Sequence, residues 1–139
     1  MRSLLVLSLA CLLTTPAVSF AAQSPDPELL NGLQAWNANG PIAGLRVWYA
    51  SQPDLALELG DTLKAAVKTM GQVIDTEVIA IQPVSKRVTR YYVAVNYTNG
   101  PLWIRIERYV SDKQPIFLRL RFSTDPDRIL PGYLTEFQL

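Results

Sequence analysis

The chain has no histidine and a single cysteine, Cys11, among its 139 residues. Cys11 lies in an apolar amino-terminal stretch that we expect to be removed, so the mature chain has neither an imidazole nor a thiol. This excludes a Ser-His-Asp triad, a cysteine nucleophile, a disulfide, a histidine or cysteine zinc site and an iron–sulfur cluster. Glycine-rich phosphate loops are lacking too, because no strand is predicted directly before Gly40, Gly44, Gly60 or Gly71. We therefore predict no catalytic residues, no cofactor and no metal.

The first 22 residues have the pattern of a secretory signal peptide. A positive end precedes the almost wholly apolar residues 4–13, and small residues follow. This apolar core of about ten residues has half the length that a membrane span needs. We predict cleavage after Ala21 or Ala22, a periplasmic or secreted protein, and no membrane association after cleavage. Residues 23–139 then form one domain, which is long enough to bury a core of its own.

Charge is distributed unevenly along this mature chain. Arg2 is one of the 13 basic residues, so its removal leaves 12 basic and 12 acidic side chains. Residues 86–121 carry eight positive and two negative charges, a local excess of +6. Residues 23–85 hold −4 and residues 122–139 hold −2. The neutral total argues against a nucleic-acid partner, and the middle of the chain is a basic element with acidic flanks.

Helix signals occupy the first half of the mature chain. The Asp-Pro-Glu sequence at 26–28 is typical of a helix start, and apolar spacing predicts a helix over residues 27–37. Residues 42–49 fit either a helix or a strand, and we favour the helix. Apolar residues then recur about every four positions up to Gly71, which predicts the main helix. Gly60 leaves open whether that helix is continuous or broken.

Beyond Gln72 the pattern changes to that of β-strands. Alternation and β-branched residues predict four strands, at residues 73–81, 87–97, 102–110 and 116–123. The expected fold class is therefore α+β, with amino-terminal helices packed on one face of a four-stranded antiparallel meander. Residues 125–133 contain too many helix and strand breakers to form an element, and we expect this tail to wrap a sheet edge.

The turns between the strands predict the register of the sheet. Asn99-Gly100 is a strong two-residue hairpin signal and pairs Tyr97 with Leu102. Between the last two strands, a five-residue loop pairs Ile106 with Leu120, whereas a four-residue loop pairs Ile106 with Arg119. We adopt the five-residue loop because it keeps one face apolar.

The other face of the predicted sheet mixes arginines with large aromatic side chains, which are enriched in protein interfaces. Arg105 lies directly opposite Arg121, and such like charges are destabilising unless an acid or anion relieves them. Phe117 also falls on this face. The alternative is a stable solvated face on which arginine stems cover the aromatic edges and Glu107 neutralises its neighbours. The candidate binding residues are Arg90, Tyr92, Trp103, Arg105, Glu107, Tyr109, Arg119 and Arg121.

Carboxylate pairs are the remaining candidates for acid–base chemistry. Asp75 and Glu77 lie two apart on a predicted strand and so face the same side, whereas Asp125 and Asp127 flank a proline. The first pair is more typical of a solvated strand face, and the second of turns that aspartates shape through their own backbone. Calcium needs more oxygen ligands than the Asp125 loop offers.

The order of the predicted helices and strands resembles that of a known fold. Residues 88–95, 100–103 and 122–126 are similar to small exported bacterial proteins of uncharacterised families, and residues 42–125 resemble the cystatin-like or nuclear transport factor 2-like fold. That resemblance rests on pattern without a diagnostic motif, so it transfers no site residue. It implies either a homodimer through the sheet or a pocket between helices and sheet, as in the isomerases and cyclases of that fold.

Two functional hypotheses follow. The first is a non-catalytic binding or interaction module whose working surface is the arginine and aromatic face, with a second copy or an acidic protein as partner. The second is a small-molecule carrier, or an enzyme of the hydrolase, isomerase or cyclase type, with a pocket between the main helix and the inner sheet face. Tyr91, Tyr97 and Arg108 point inward and would serve that pocket. A buried, paired Arg108 favours a structural role, and an open cavity reaching it favours a ligand.

Overall fold

Helices precede strands in the computed structural model, which describes residues 23–136; the predicted signal peptide lies outside this range. The helices α1, α2 and α3 span Pro27–Asn39, Pro41–Trp48 and Pro53–Val67. The strands β1, β2, β3 and β4 span Val73–Pro83, Val88–Tyr97, Gly100–Val110 and Pro115–Ser123. They form one antiparallel sheet in the order β1-β2-β3-β4. The predicted α+β class, with helices before a four-stranded meander, is confirmed.

The helices begin where the sequence signals lie. Asp26 caps α1, because its Oδ1 accepts the backbone N–H of Glu28 at 2.9 Å. The ambiguous segment is helical, and α3 runs through Gly60 without a break. A Cβ at Gly60 would lie 2.9 Å from Ile42 Cγ1, so the glycine permits close packing of α3 on α2. Within residues 23–136 no helix has both the length and the apolarity required to cross a membrane.

The main core lies between the helices and one face of the sheet, which we call the inner face. Trp36 and Trp48 are both buried in it. Trp36 Nε1 donates to the Tyr97 hydroxyl at 3.0 Å, and Trp48 Nε1 donates to the carbonyl of Leu29 at 3.2 Å. The two indoles therefore fix α1 to β2 and α2 to α1.

The β2–β3 hairpin turns one residue earlier than predicted. Tyr97 pairs with Gly100, not with Leu102, so the predicted pairing was wrong by two residues. The turn is held by the segment after α3, because the Thr98 N–H donates to Gln72 O at 2.9 Å and the Asn99 side chain donates to Thr69 O at 3.0 Å. A shift of two residues preserves the alternation, so the predicted faces are retained.

The β3–β4 register is as predicted over most of its length and then shifts. Ile106 pairs with Leu120, but a bulge at Leu118 places Phe117 opposite Arg108. The loop consequently has four residues and not five, since Val110 pairs with Pro115. Phe117 thus turns to the inner face, contrary to the prediction.

The inward position of Phe117 has a packing reason. Its side chain is 2% exposed, and its ring lies 6.0 Å from that of Trp48, measured between centroids. Burial of a phenylalanine side chain stabilises a fold by roughly 1.5–3 kcal/mol, which favours the bulge over a regular pairing with Phe117 in solvent.

The carboxyl-terminal tail, residues 124–136, packs on the outer face of the sheet and does not wrap its edge. It contains a short 3₁₀ helix, Pro126–Arg128, and a one-turn helix α4, Gly132–Thr135. Ile129 and Leu130 are buried in a second small core, which also includes Ile79, Ala80, Tyr92, Trp103 and Leu134. The edge prediction was wrong because the outer face carries enough apolar surface to hold the tail.

Candidate functional site

The predicted binding face is divided by the tail. Tyr92 is only 2% exposed and Trp103 is half-buried, because both lie in the second core under the tail. Both residues were predicted to belong to the binding face; the tail covers Tyr92 and leaves Trp103 partly exposed. In the observed register Tyr92 pairs with Arg105, and Arg105 pairs with Arg121 on its other side. The open part of the outer face is thus its β3–β4 side, where the arginines lie.

Glu107, an acidic side chain of this face, already forms an ion pair. Arg90 donates to Glu107 Oε1 through Nη2 at 2.8 Å and through Nε at 3.0 Å. The two side chains are 27% and 15% exposed, and the hydrogen bond with Glu107 raises the pKa of Arg90 above its usual value. Tyr92 donates to Gln82 beside this pair at 3.1 Å. Glu107 therefore neutralises Arg90, as the solvated-face alternative predicts.

Three arginines of the face have no such partner. Arg105, Arg119 and Arg121, which we call the arginine cluster, form no ion pair with any carboxylate of residues 23–136. Arg105 and Arg121 are directly opposite each other, and Arg119 follows on the same side of β4. Arg119 and Arg121 are exposed and Arg105 is half-buried. The cluster thus concentrates positive charge on two adjacent strands, and its one acidic cross-strand neighbour, Glu107 opposite Arg119, is paired with Arg90.

Within residues 23–136, the other arginines of the sheet, its loops and the tail are paired, unlike those of the cluster. Four arginines elsewhere in the sheet, its loops and the tail each have a carboxylate partner, namely Arg87 with Asp112, Arg90 with Glu107, Arg108 with Asp26 and Arg128 with Asp125. Tyr109 lies beyond the cluster on β3, opposite Ile116. Its half-buried ring extends the open surface.

The two carboxylate pairs lie where a structural role predicts them. Asp75 and Glu77 are on a solvated strand face, and Asp125 and Asp127 are in a turn. Asp75 and Glu77 are exposed on β1, and both carboxylates accept from the Asn96 amide. Strand β1 is the sheet edge opposite β4. Asp125 caps the 3₁₀ helix by accepting the Asp127 N–H at 3.1 Å. Among the described residues, no three acidic groups lie close enough together to hold a metal ion.

The residues predicted for an inner pocket have structural partners. Arg108 Nη2 lies 2.8 Å from Asp26 Oδ2, and the two side chains are 14% and 16% exposed. Tyr91 and Tyr97 are buried, and burial raises the pKa of both hydroxyls. Four surface pockets of residues 23–136 have volumes of ≈ 210 to ≈ 360 Å³, and none of the four is lined by these residues. A paired and largely buried Arg108 favours the structural role.

One pocket adjoins the arginine cluster. It has a volume of ≈ 290 Å³ and lies between β3 and the tail. Its lining residues are Trp103, Pro126, Asp127, Leu130, Leu134 and Thr135. Sequence reasoning missed this pocket because it forms only when the tail covers the sheet, and the tail has no periodicity that predicts its position.

A second pocket, ≈ 360 Å³ in volume, lies where α2 meets α3. Tyr49 lines it together with Arg46 and Leu57. Burial raises the pKa of Tyr49 to about 12, and its buried hydroxyl has no hydrogen-bond partner among the described residues. No residue singled out from the sequence as a candidate site contributes to this pocket.

No protein-family model matches the chain. Searches of curated proteins and of solved structures also return no match. The resemblance to the cystatin-like or nuclear transport factor 2-like fold therefore stays a prediction. Since even a shared fold does not decide function, the site itself must carry the functional argument.

Proposed function

We propose that this protein is an exported, non-catalytic binding module that recognises an acidic protein partner through the arginine cluster. The observation that carries the proposal is the opposed pair of Arg105 and Arg121, which no carboxylate of residues 23–136 neutralises. Like charges directly across a strand pair destabilise the fold. An acidic partner would remove this penalty on binding. The export part of the proposal rests on the predicted signal peptide.

Arginine side chains are well suited to binding the carboxylates of an acidic partner. Its planar guanidinium offers five donors in a rigid fork, which matches a carboxylate with two parallel hydrogen bonds. Arg105, Arg119 and Arg121 project from two paired strands, so their backbone spacing is fixed before a partner arrives. A rigid array loses less conformational entropy on association than the same charges on a loop would lose. The positive patch would also speed encounter with an acidic surface.

The position of the tail favours an acidic partner over a second copy of the chain. The tail lies above the outer face, so two copies that meet face to face touch first at their tails. Asp75 and Glu77 lie at the opposite sheet edge on β1, whereas Asp125, Asp127 and Glu136 belong to the tail itself. A second copy would therefore have to bring its tail acids across onto the arginine cluster. An acidic partner needs no such contact.

Charge reversal at one residue tests this proposal. We expect Arg121→Glu to weaken binding of a fluorescent poly-glutamate peptide by about tenfold or more, because it removes one fork and repels the peptide. The same change should raise the melting temperature by a few degrees, since the introduced carboxylate would face Arg105 across the strand pair and an opposite-charge pair of this kind contributes roughly 0.5 kcal/mol. Fluorescence anisotropy and thermal unfolding measure the two effects.

Arg46→Glu is the matched control, because Arg46 is exposed on α2, away from the sheet, and the change in net charge is the same. It should leave peptide binding within about twofold of the wild type. Equal weakening by both variants would show that only net charge matters and would contradict the proposal. A sharply lower melting temperature in Arg121→Glu would assign the cluster a structural role, and a wild-type dimer in sedimentation that this variant dissociates would replace the acidic partner with a second copy.

A further inference from the structure

The pocket between Trp103 and the tail has the size and character of a site for an apolar ring. Its volume is ≈ 290 Å³, and a cavity of roughly 150 Å³ already holds a benzene ring. Trp103 supplies an aromatic wall, and Leu130 and Leu134 supply aliphatic ones. Aromatic pairs prefer offset or edge-to-face contacts, which a ring entering beside Trp103 could make.

Trp103, which lines this pocket, is a near neighbour of the arginine cluster. Trp103 and Arg105 are two residues apart on β3 and share the outer face, so their Cα atoms are separated by about 7 Å. On β4, Ser123 lies opposite Trp103 and Arg121 lies opposite Arg105. A group in the pocket and a group on the cluster can therefore belong to one short extended segment of a partner.

We propose that the pocket takes an aromatic side chain of the acidic partner, while a neighbouring carboxylate of the same segment binds Arg105 and Arg121. This inference rests on the proposed function and names the chemistry of its partner, an acidic segment with one aromatic residue. The tail becomes part of the recognition surface, because residues 126–135 supply most of the pocket wall. Central aromatic anchors in pockets, surrounded by polar contacts, dominate the binding energy of many interfaces.

Asp127 indicates which residue enters the pocket. It is one of the lining residues, so its carboxylate disfavours a second acidic group inside the pocket. The cluster at the neighbouring position favours one. The segment should therefore place its aromatic residue in the pocket and its acidic residues over β3 and β4.

Three synthetic peptides of equal length test the inference. The first is acidic with one phenylalanine, the second has alanine in its place, and the third keeps phenylalanine but has glutamine for every glutamate. By isothermal titration calorimetry we expect the first peptide to bind the mature protein about tenfold more tightly than the second, the effect of burying one aromatic side chain. The third should bind far more weakly than either acidic peptide.

A pocket-filling variant supplies the decisive comparison. Thr135→Phe inserts a ring from α4 into the pocket, and it sacrifices only a local hydrogen bond from the Thr135 hydroxyl to Gly132 O. It should abolish the preference for phenylalanine and leave the affinity for the alanine peptide unchanged. Thr62→Phe is the matched control, because Thr62 makes a comparable local bond on the exposed side of α3. Should Thr135→Phe fail to fold, Thr135→Leu gives the same comparison with a smaller side chain.

The outcomes separate this inference from the proposed function. Equal binding of both acidic peptides, or a preference for phenylalanine that persists in a folded Thr135 variant, overturns the pocket assignment and leaves recognition of acidic partners standing. Failure of both acidic peptides to bind overturns the proposed function and this inference together. Loss of the preference in Thr62→Phe also overturns the assignment, because the effect would then not depend on the pocket.

Discussion

Gly32→Ala should lower the free energy of unfolding by about 3 kcal/mol, because α1 and α2 cross where neither helix has room for a side chain. A Cβ at Gly32 would overlap the indole of Trp48. A Cβ at Gly44, the facing glycine of α2, would lie 2.8 Å from the carbonyl oxygen of Gly32. The two glycines thus allow the backbones to touch, with Trp48 lying over Gly32.

One favourable and two unfavourable terms determine the size of this effect. Alanine is the better helix former by roughly 1 kcal/mol, which favours the variant. Against it stand overpacking, at roughly 1–3 kcal/mol, and loss of the buried hydrogen bond from Trp48 to Leu29 O, at roughly 1–3 kcal/mol. The indole cannot retreat without also leaving its contact with Phe117. The unfavourable terms therefore win.

Urea denaturation measures the change, with Asn31→Ala as the control at the exposed neighbouring position of α1. The control should alter the free energy of unfolding by less than about 0.5 kcal/mol. A Gly32→Ala variant as stable as the control would show that the helices are not in close contact.

Asp26→Ala should lower the free energy of unfolding by about 3–4 kcal/mol, because the Asp26 carboxylate makes two interactions. Its Oδ1 caps α1 through the Glu28 N–H, and its Oδ2 pairs with Arg108. Loss of a helix cap typically costs about 1 kcal/mol. Loss of the partner leaves the Arg108 guanidinium largely buried and uncompensated, and its Nε already lacks a hydrogen-bond partner within residues 23–136. The second loss should be the larger one.

Asp26→Asn separates the two interactions, since the amide oxygen can still cap the helix but carries no charge. It should recover about 1 kcal/mol of the loss. Combining Asp26→Ala with Arg108→Met should recover more, because the buried charge is then removed together with its partner. Urea denaturation of the wild type, the two single variants Asp26→Ala and Arg108→Met, and the double variant completes the cycle. Strictly additive effects would contradict the coupling between Asp26 and Arg108.

Most of the fold follows from local patterns in the sequence. The Asp26 cap, the apolar repeat before Gly71 and the alternation in β2, β3 and β4 are each local, and the structure contains the corresponding elements. The β2–β3 turn was misplaced because its position depends on hydrogen bonds to Thr69, Met70 and Gln72. Such partners are distant in sequence, and hairpin propensity carries no information about them.

The candidate site was predictable where it depends on alternation alone. Arg105 opposite Arg121 and Glu107 opposite Arg119 both follow from the register around Ile106 and both are observed. The covering of Tyr92 and Trp103 was not predictable, because the tail approaches them through scattered apolar residues among prolines, glycine and aspartates. Its place is fixed by tertiary packing on the outer face.

Residue-resolved labelling of arginine side chains with phenylglyoxal, with and without an acidic peptide that carries one phenylalanine, tests the central claim most directly. In the free protein, the exposed Arg119 and Arg121 should react faster than Arg90 and Arg108, whose guanidinium groups are paired and less accessible. Bound peptide should protect Arg105, Arg119 and Arg121 and leave Arg46 on α2 as reactive as before, as quantified by mass spectrometry of digested protein. Protection of Arg46 to the same extent, or no protection of the cluster under saturating peptide, would contradict the assignment of this face as the binding surface.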